Sequence, residues 1–265
     1  MLARPYAPRR PQAALIALAG ALLAACAALP TVRAQPAPER FQLVASWSIN
    51  LPINRPPGAP RLPQRAWLEM GAVALTGAGH LVFSAYDASG VFIPLATAGW
   101  GGYVGYRAAT EPGFLGDLGL TGQDLGPAFR DASLLAAGAL AGMAVVGAAR
   151  GTLALDADFL PLFVLYPVWG LVQQTLVQGF VTRHLGAAGL SVWVATPLSA
   201  VAFGAVHLPN WELTAATTAL GAAYAPLYLR HRNVWPLGLY HGALGAFYYR
   251  WVLDRNPWRE ILDEL

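Results

Sequence analysis

Three amides and two imidazoles stand where a membrane-spanning sequence would carry Leu or Val. They are Gln173, Gln174 and Gln178 in LVQQTLVQGFVTRHL, His207 in VAFGAVHLPN, and His241 in WPLGLYHGALGAF. An imidazole can take up and return a proton near neutral pH, and an amide can orient a water without ionising. Polar groups inside an apolar span are costly and tend to mark a site or a pathway. On a helix Gln174 and Gln178 share one face, while Gln173 lies about 100° round from Gln174. Phe203, one turn before His207, shares its face and can wall a pocket; Gly245 follows His241 by one turn. The competing reading is packing. A membrane Gln is often interhelical glue worth around 1 kcal/mol or less, and a lone intramembrane His is commonly a satisfied packing residue. His80, His184 and His231 are assigned to that class or to interfaces.

The chain that must position these groups has 265 residues, 56% of them hydrophobic and 12% charged. A soluble domain carries about twice that charge fraction. The apolar residues are gathered in blocks, which makes a multi-spanning membrane protein the natural class. Nothing alternates with the period of a barrel, and the backbone in lipid must satisfy itself, so the fold class is all-α: a polytopic membrane bundle of about 7–8 helices. The formal charge is +3 and every basic residue is Arg. These Arg residues form no cluster interleaved with aromatics, so no nucleic-acid partner is expected.

Segments near 66–86, 91–106, 131–149, 159–182, 189–207, 211–229 and 234–252 are the candidate spans, and most reach the ~20 residues needed to cross the hydrocarbon core. The 107–130 loop, with its apolar spacing and Pro127, predicts an interfacial helix leading into the next span. Residues 1–30 form an N-terminal unit with Arg4, Arg9 and Arg10 ahead of the uncharged run 13–29. That run reads as a first transmembrane helix, a secretory signal, or, through Leu23-Ala24-Ala25-Cys26, a bacterial lipobox; the uncleaved helix is preferred. With a single Cys no internal disulfide is possible. Residues 31–65, rich in Pro and Arg, are an exposed linker. A transmembrane domain follows over 66–252, with its motif core at 157–250, and a polar tail over 253–265. Beyond the linker Arg residues divide almost evenly between the two sets of loops, so orientation stays open.

Taken in order, the polar residues resemble the motifs of the CPBP (Abi) family, the CAAX protease and bacteriocin-processing intramembrane enzymes. The family's first motif is Glu-Glu-x-x-x-Arg, usually followed by Gly; here it reads Gln173-Gln174-Thr-Leu-Val-Gln178-Gly179. The second, Phe-x-x-x-His, is intact as Phe203 to His207 and continues into Leu208-Pro209-Asn210. The third, His-x-x-x-Asn, reads His241 to Gly245. The resemblance extends over about 115–250 and implies a helical intramembrane endopeptidase in a cell membrane, the bacterial inner membrane.

Carried over by position, Gln173 stands where the family has the general base, Gln174 where it has the second Glu, and Gln178 where it has the Arg. His207 implies water activation; His241 and Gly245 occupy the oxyanion positions. An amide has no basic lone pair near neutral pH, so Gln173 cannot accept a proton as a carboxylate does. Gln174 and Gln178 can replace the lost ion pair with an amide–amide hydrogen bond across the same i,i+4 gap. Gly245 removes an oxyanion donor, a loss of about 2.7–4 kcal/mol in comparable sites. Two readings follow. One is a divergent CPBP-type endopeptidase; the other is an inactive relative that holds a membrane-proximal peptide or lipid-like partner in the same cavity. No cofactor is evident. The resemblance leaves a metal ion open, although two His without a carboxylate or thiolate make a poor site. Asp156 and Asp158 are read as helix caps.

Overall fold

The computed structural model describes residues 62–155, 157, 159–257 and 259. The N-terminal unit, Cys26, nearly all of the linker, Asp156, Asp158 and most of the tail lie outside them. The described residues form helices and no strand. In chain order these are α1 (Gln64–Ala85), α2 (Ser89–Thr110), α3 (Phe114–Leu118), α4 (Leu125–Arg150), α5 (Phe159–Gln174), a π-helical segment (Thr175–Thr182), α6 (Arg183–Ala187), α7 (Val192–Ala205), α8 (Trp211–His231), α9 (Trp235–Phe247) and a π-helical end (Tyr248–Val252).

A helix occupies every one of the seven segments marked as spans. Among the described residues only Gln64–Ala85 and Leu125–Arg150 are long and apolar enough to cross by length and composition; Val192–Ala205 is apolar but shorter. The 159–182 and 234–252 segments change to π-helical geometry part-way, and α8 is diluted by Thr, Glu and Arg. Between α2 and α4 the helical part of the 107–130 segment is the five-residue α3, whose Phe114 and Leu118 are buried against Phe180 while Leu115 is exposed.

Local chemistry explains the element ends. Asn210 caps α8 by accepting from the Leu213 N–H at 3.0 Å. Asn233 accepts from the Trp235 N–H at 3.1 Å and donates to the carbonyls of Thr121 and Gln123, both at 2.9 Å, pinning the α3–α4 loop to the start of α9. Gly119 has φ 90°, and a Cβ there would lie 2.8 Å from the Arg232 carbonyl oxygen, so the α3 exit admits only glycine.

The main core joins α4, α8 and α9 through Ala132, Leu135, Tyr224, Tyr228, Leu237 and Trp251. Outward, Leu75, Val82, Leu134, Val145, Val164 and Val201 are exposed. Large aliphatic side chains facing outward on so many helices suit a lipid surface better than water.

The closest helix pair carries the site. Gly238 and Gly242, four apart on α9, meet α5 at Gly170. A Cβ on Gly242 would lie 2.2 Å from the Tyr166 carbonyl carbon, and one on Gly170 would lie 2.4 Å from the Gly238 carbonyl oxygen. Small residues spaced by four let membrane helix backbones touch in this way. The contact sets Gln173 of α5 against His241 of α9.

Candidate functional site

Gln173 Oε1 lies 2.7 Å from His241 Nε2. Both residues line a cavity of about 390 Å³, together with His207, Thr217 and Gly245. The remaining wall is apolar and aromatic, including Leu165, Trp169, Leu213 and Tyr248. Among the described residues no Asp, Glu or Arg lines it.

His207 follows the end of α7. Its Nδ1 lies 3.0 Å from the Phe203 carbonyl oxygen. A carbonyl only accepts, so Nδ1 carries the proton and Nε2 keeps its lone pair. Thr217 Oγ1, 3.2 Å from the same Nδ1, gives its own proton to the Leu213 carbonyl at 2.7 Å and so faces His207 as an acceptor. Phe203 is buried behind the cavity, its ring 5.4 Å from the His207 ring and 5.2 Å from the His241 ring, edge-on to both. It is the wall that holds the two imidazoles in place.

Gln174 does not share this cavity with Gln173. Gln174 and Gln178 are fully buried and do not line it. Gln178 Nε2 donates to Gln174 Oε1 at 3.1 Å, the neutral i,i+4 contact expected in place of an ion pair. Gln174 Nε2 and Gln178 Oε1 have no partner among the described residues. The face assignment at the sequence level explains the split: Gln173 points away from the pair by about 100°. Gly245 does line the cavity, and a Cβ there would meet only Tyr166 Cδ2 at 3.6 Å, an ordinary contact.

The donor set does not fit a resident metal. His241 has committed Nε2 to Gln173, the neighbouring oxygens are neutral, and no group of three His, Cys, Asp or Glu among the described residues could hold one.

Sequence reasoning missed the glycine contact, Thr217 and two charged clusters. Glu69 of α1 accepts from Tyr103 at 2.6 Å, from His184 Nε2 at 2.5 Å and from Arg107; Arg183 approaches to 3.5 Å. Asp131 of α4 accepts from His231 at 2.9 Å and pairs with Arg230 at 3.0 Å. His184 and His231 are thus carboxylate partners, and neither lines the cavity. The usable signal was an acidic residue inside the first turns of an apolar span, Glu69 in α1 and Asp131 in α4.

Residues 155–247 match the family model described as Type II CAAX prenyl endopeptidase Rce1-like. The match begins just ahead of α5 and ends with α9, so it contains every residue of the three motifs and bears out the resemblance they carry. No curated protein and no solved structure matches the chain.

Proposed function

We propose that this is a multi-pass protein of the bacterial inner membrane, on a CAAX protease-like scaffold with about seven to eight spanning helices. Its cavity binds an uncharged, apolar peptide segment near the membrane surface, and hydrolysis by the chain as it stands is weak. The observation that carries this is Gln173. At the position where the resemblance implies a general base stands an amide, held by His241 at 2.7 Å, with no carboxylate among the described residues lining the cavity to replace it. General acid–base catalysis contributes about 10²–10⁴-fold, and that contribution is what the substitution removes.

The endopeptidase reading keeps one observation in its favour. His207 has its Nδ1 proton fixed by Phe203 and a lone pair on Nε2 that could activate water. The test is cleavage of a broad peptide library by the purified full-length protein, followed by mass spectrometry, beside His207→Ala. Cleavage near background with retained peptide binding is the expected result. Strong cleavage that disappears in His207→Ala would replace the binding reading with an active endopeptidase that uses a histidine base.

A further inference from the structure

We infer, resting on the peptide-binding reading above, that Gln173 works in the opposite sense to a carboxylate. Its amide N–H binds a backbone carbonyl of the ligand, while His241 acts as a positioning residue that holds its oxygen.

The argument starts at His241. Its Nδ1 is buried and has no partner among the described residues, while Nε2 faces Gln173 Oε1 at 2.7 Å. A neutral imidazole carries one N–H. A proton on Nδ1 would be an orphaned buried donor, a rarer and costlier arrangement than an unfilled acceptor. On Nε2 it meets the Gln173 oxygen. His241 Nε2–H therefore donates, the Gln173 oxygen is occupied, and the amide nitrogen is left as the free end. Unlike Gln174 Nε2, that nitrogen is not sealed in the protein, and Gln173 lines the cavity.

His207 is fixed the other way, with its proton on Nδ1 and its lone pair on Nε2. The cavity thus offers a neutral donor, the Gln173 NH₂, and a neutral acceptor, His207 Nε2, on a wall that is otherwise mainly apolar and aromatic. A peptide group has the complementary pair, a carbonyl and an N–H. A charged side chain would find no counter-charge there, so the ligand class is an uncharged backbone segment flanked by apolar side chains. Glu at 173, which takes up a proton in so apolar a cavity, would keep the His241 contact and present an O–H donor to the carbonyl, so Met is the replacement that removes the donor.

The experiment uses the full-length protein in detergent. The probes are an N-acylated, fluorescent Leu/Ala hexapeptide amide and a set of analogues in which each peptide bond in turn is replaced by an (E)-alkene. Wild type should bind one of the alkene analogues about tenfold more weakly than the parent amide, the effect of one good hydrogen bond. Gln173→Met should lose most of that preference, keeping only the part due to His207 Nε2, and Gln173→Glu, neutral in the cavity, should retain it. Nitrogen-15 spectra of the histidine rings, assigned with His241→Phe, should show His241 protonated on Nε2 in wild type and in Gln173→Glu alike. A merely structural role for the Gln173–His241 pair would not move the amide-against-alkene ratio. A His241 proton on Nδ1, or equal binding of amide and alkene by wild type, overturns this role and leaves peptide binding standing. A wild-type protein that binds none of the hexapeptides overturns both.

Discussion

The π-helical segment Thr175–Thr182 separates two regions that treat charge in opposite ways. Beyond its C-terminal end, Arg183 and His184 join Glu69, Tyr103 and Arg107 in a buried ionic cluster. At its N-terminal end, Gln173, Gln174 and Gln178 are neutral, although the family resemblance has two acids and an arginine there. Burial does not separate the two, since Glu69 and Arg107 are nearly as buried as Gln174 and Gln178. Partner supply does. Glu69 receives donors from α2 and α6, and Arg107 forks between Glu69 and Glu111 at the end of α2. The amide pair has a single 3.1 Å hydrogen bond and two unpaired polar atoms. A desolvated charge survives only with a full set of partners. Where that set is missing, losing both charges together costs less than keeping one.

The largest effect should come from returning charge to the neutral region. The fourfold replacement Gln173→Glu, Gln174→Glu, Gln178→Arg and Gly245→Asn restores base, ion pair and oxyanion donor. Peptide cleavage should rise by at least about 10²-fold over the unmodified protein, and adding His207→Ala should abolish the gain. A Cβ at Gly245 would make only an ordinary contact with the Tyr166 ring. Gln173→Glu alone should gain little, because a lone carboxylate in an apolar cavity takes up a proton and does not stay ionised. A well-folded fourfold variant with no gain would show that the neutral cavity is a binding site by design.

The next effect comes from removing charge from the ionic region. Glu69→Leu leaves Arg107, Arg183 and His184 buried without their shared anion and should destabilise the fold by about 3–5 kcal/mol. Thermal unfolding in detergent measures it. A loss under about 1 kcal/mol, as for an exposed pair, would mean that water reaches the cluster and that the contrast between the regions is only apparent.

How much of this was legible follows from which residues carried a local signal. The motif residues were readable because each sits at a fixed spacing on an apolar segment; helical periodicity alone even separated Gln173 from Gln174 by about 100°. That separation is what keeps Gln174 out of the cavity. The glycine contact at Gly170, Gly238 and Gly242 was hidden because it needs two segments about 70 residues apart to be known as neighbours, and each glycine alone looks like one among 28. His184 and His231 were read as packing for the same reason: their carboxylate partners, Glu69 and Asp131, are separated from them by 115 and 100 residues. The change from α- to π-helical geometry inside the 159–182 and 234–252 segments was not legible either, because a hydropathy window cannot register it.

A smaller effect tests the amide pair. Gln178→Leu should cost roughly 1–3 kcal/mol by stripping Gln174 of its one partner. Replacing both with Leu should recover most of that, since two apolar groups of similar shape can be nearly neutral. If the double variant were far less stable than either single one, the pair would be bonded to something more than itself.

The smallest effect lies at the rim of the ionic region. Arg65 pairs with Glu111 at 2.5 Å, but both side chains are substantially exposed. The Arg107 guanidinium, hydrogen-bonded to Glu111, is the main cause that holds its carboxyl below the ordinary value, with Arg65 a lesser one. A lowered folded value means that Glu111 contributes stability above the ordinary carboxylate value of 4.5, and that this is lost as pH falls through the lowered one. Arg65→Ala should therefore leave the unfolding temperature at neutral pH and physiological salt without a resolvable shift, because solvent and ions screen the pair. It should leave the acid limb of the pH–stability curve nearly intact as well, since Arg107 still holds the carboxylate. Glu111→Gln should flatten that limb. If Arg65→Ala flattened it equally, the exposed pair and not the buried guanidinium would be holding Glu111, and the ionic region would reach one residue further toward solvent than Arg107.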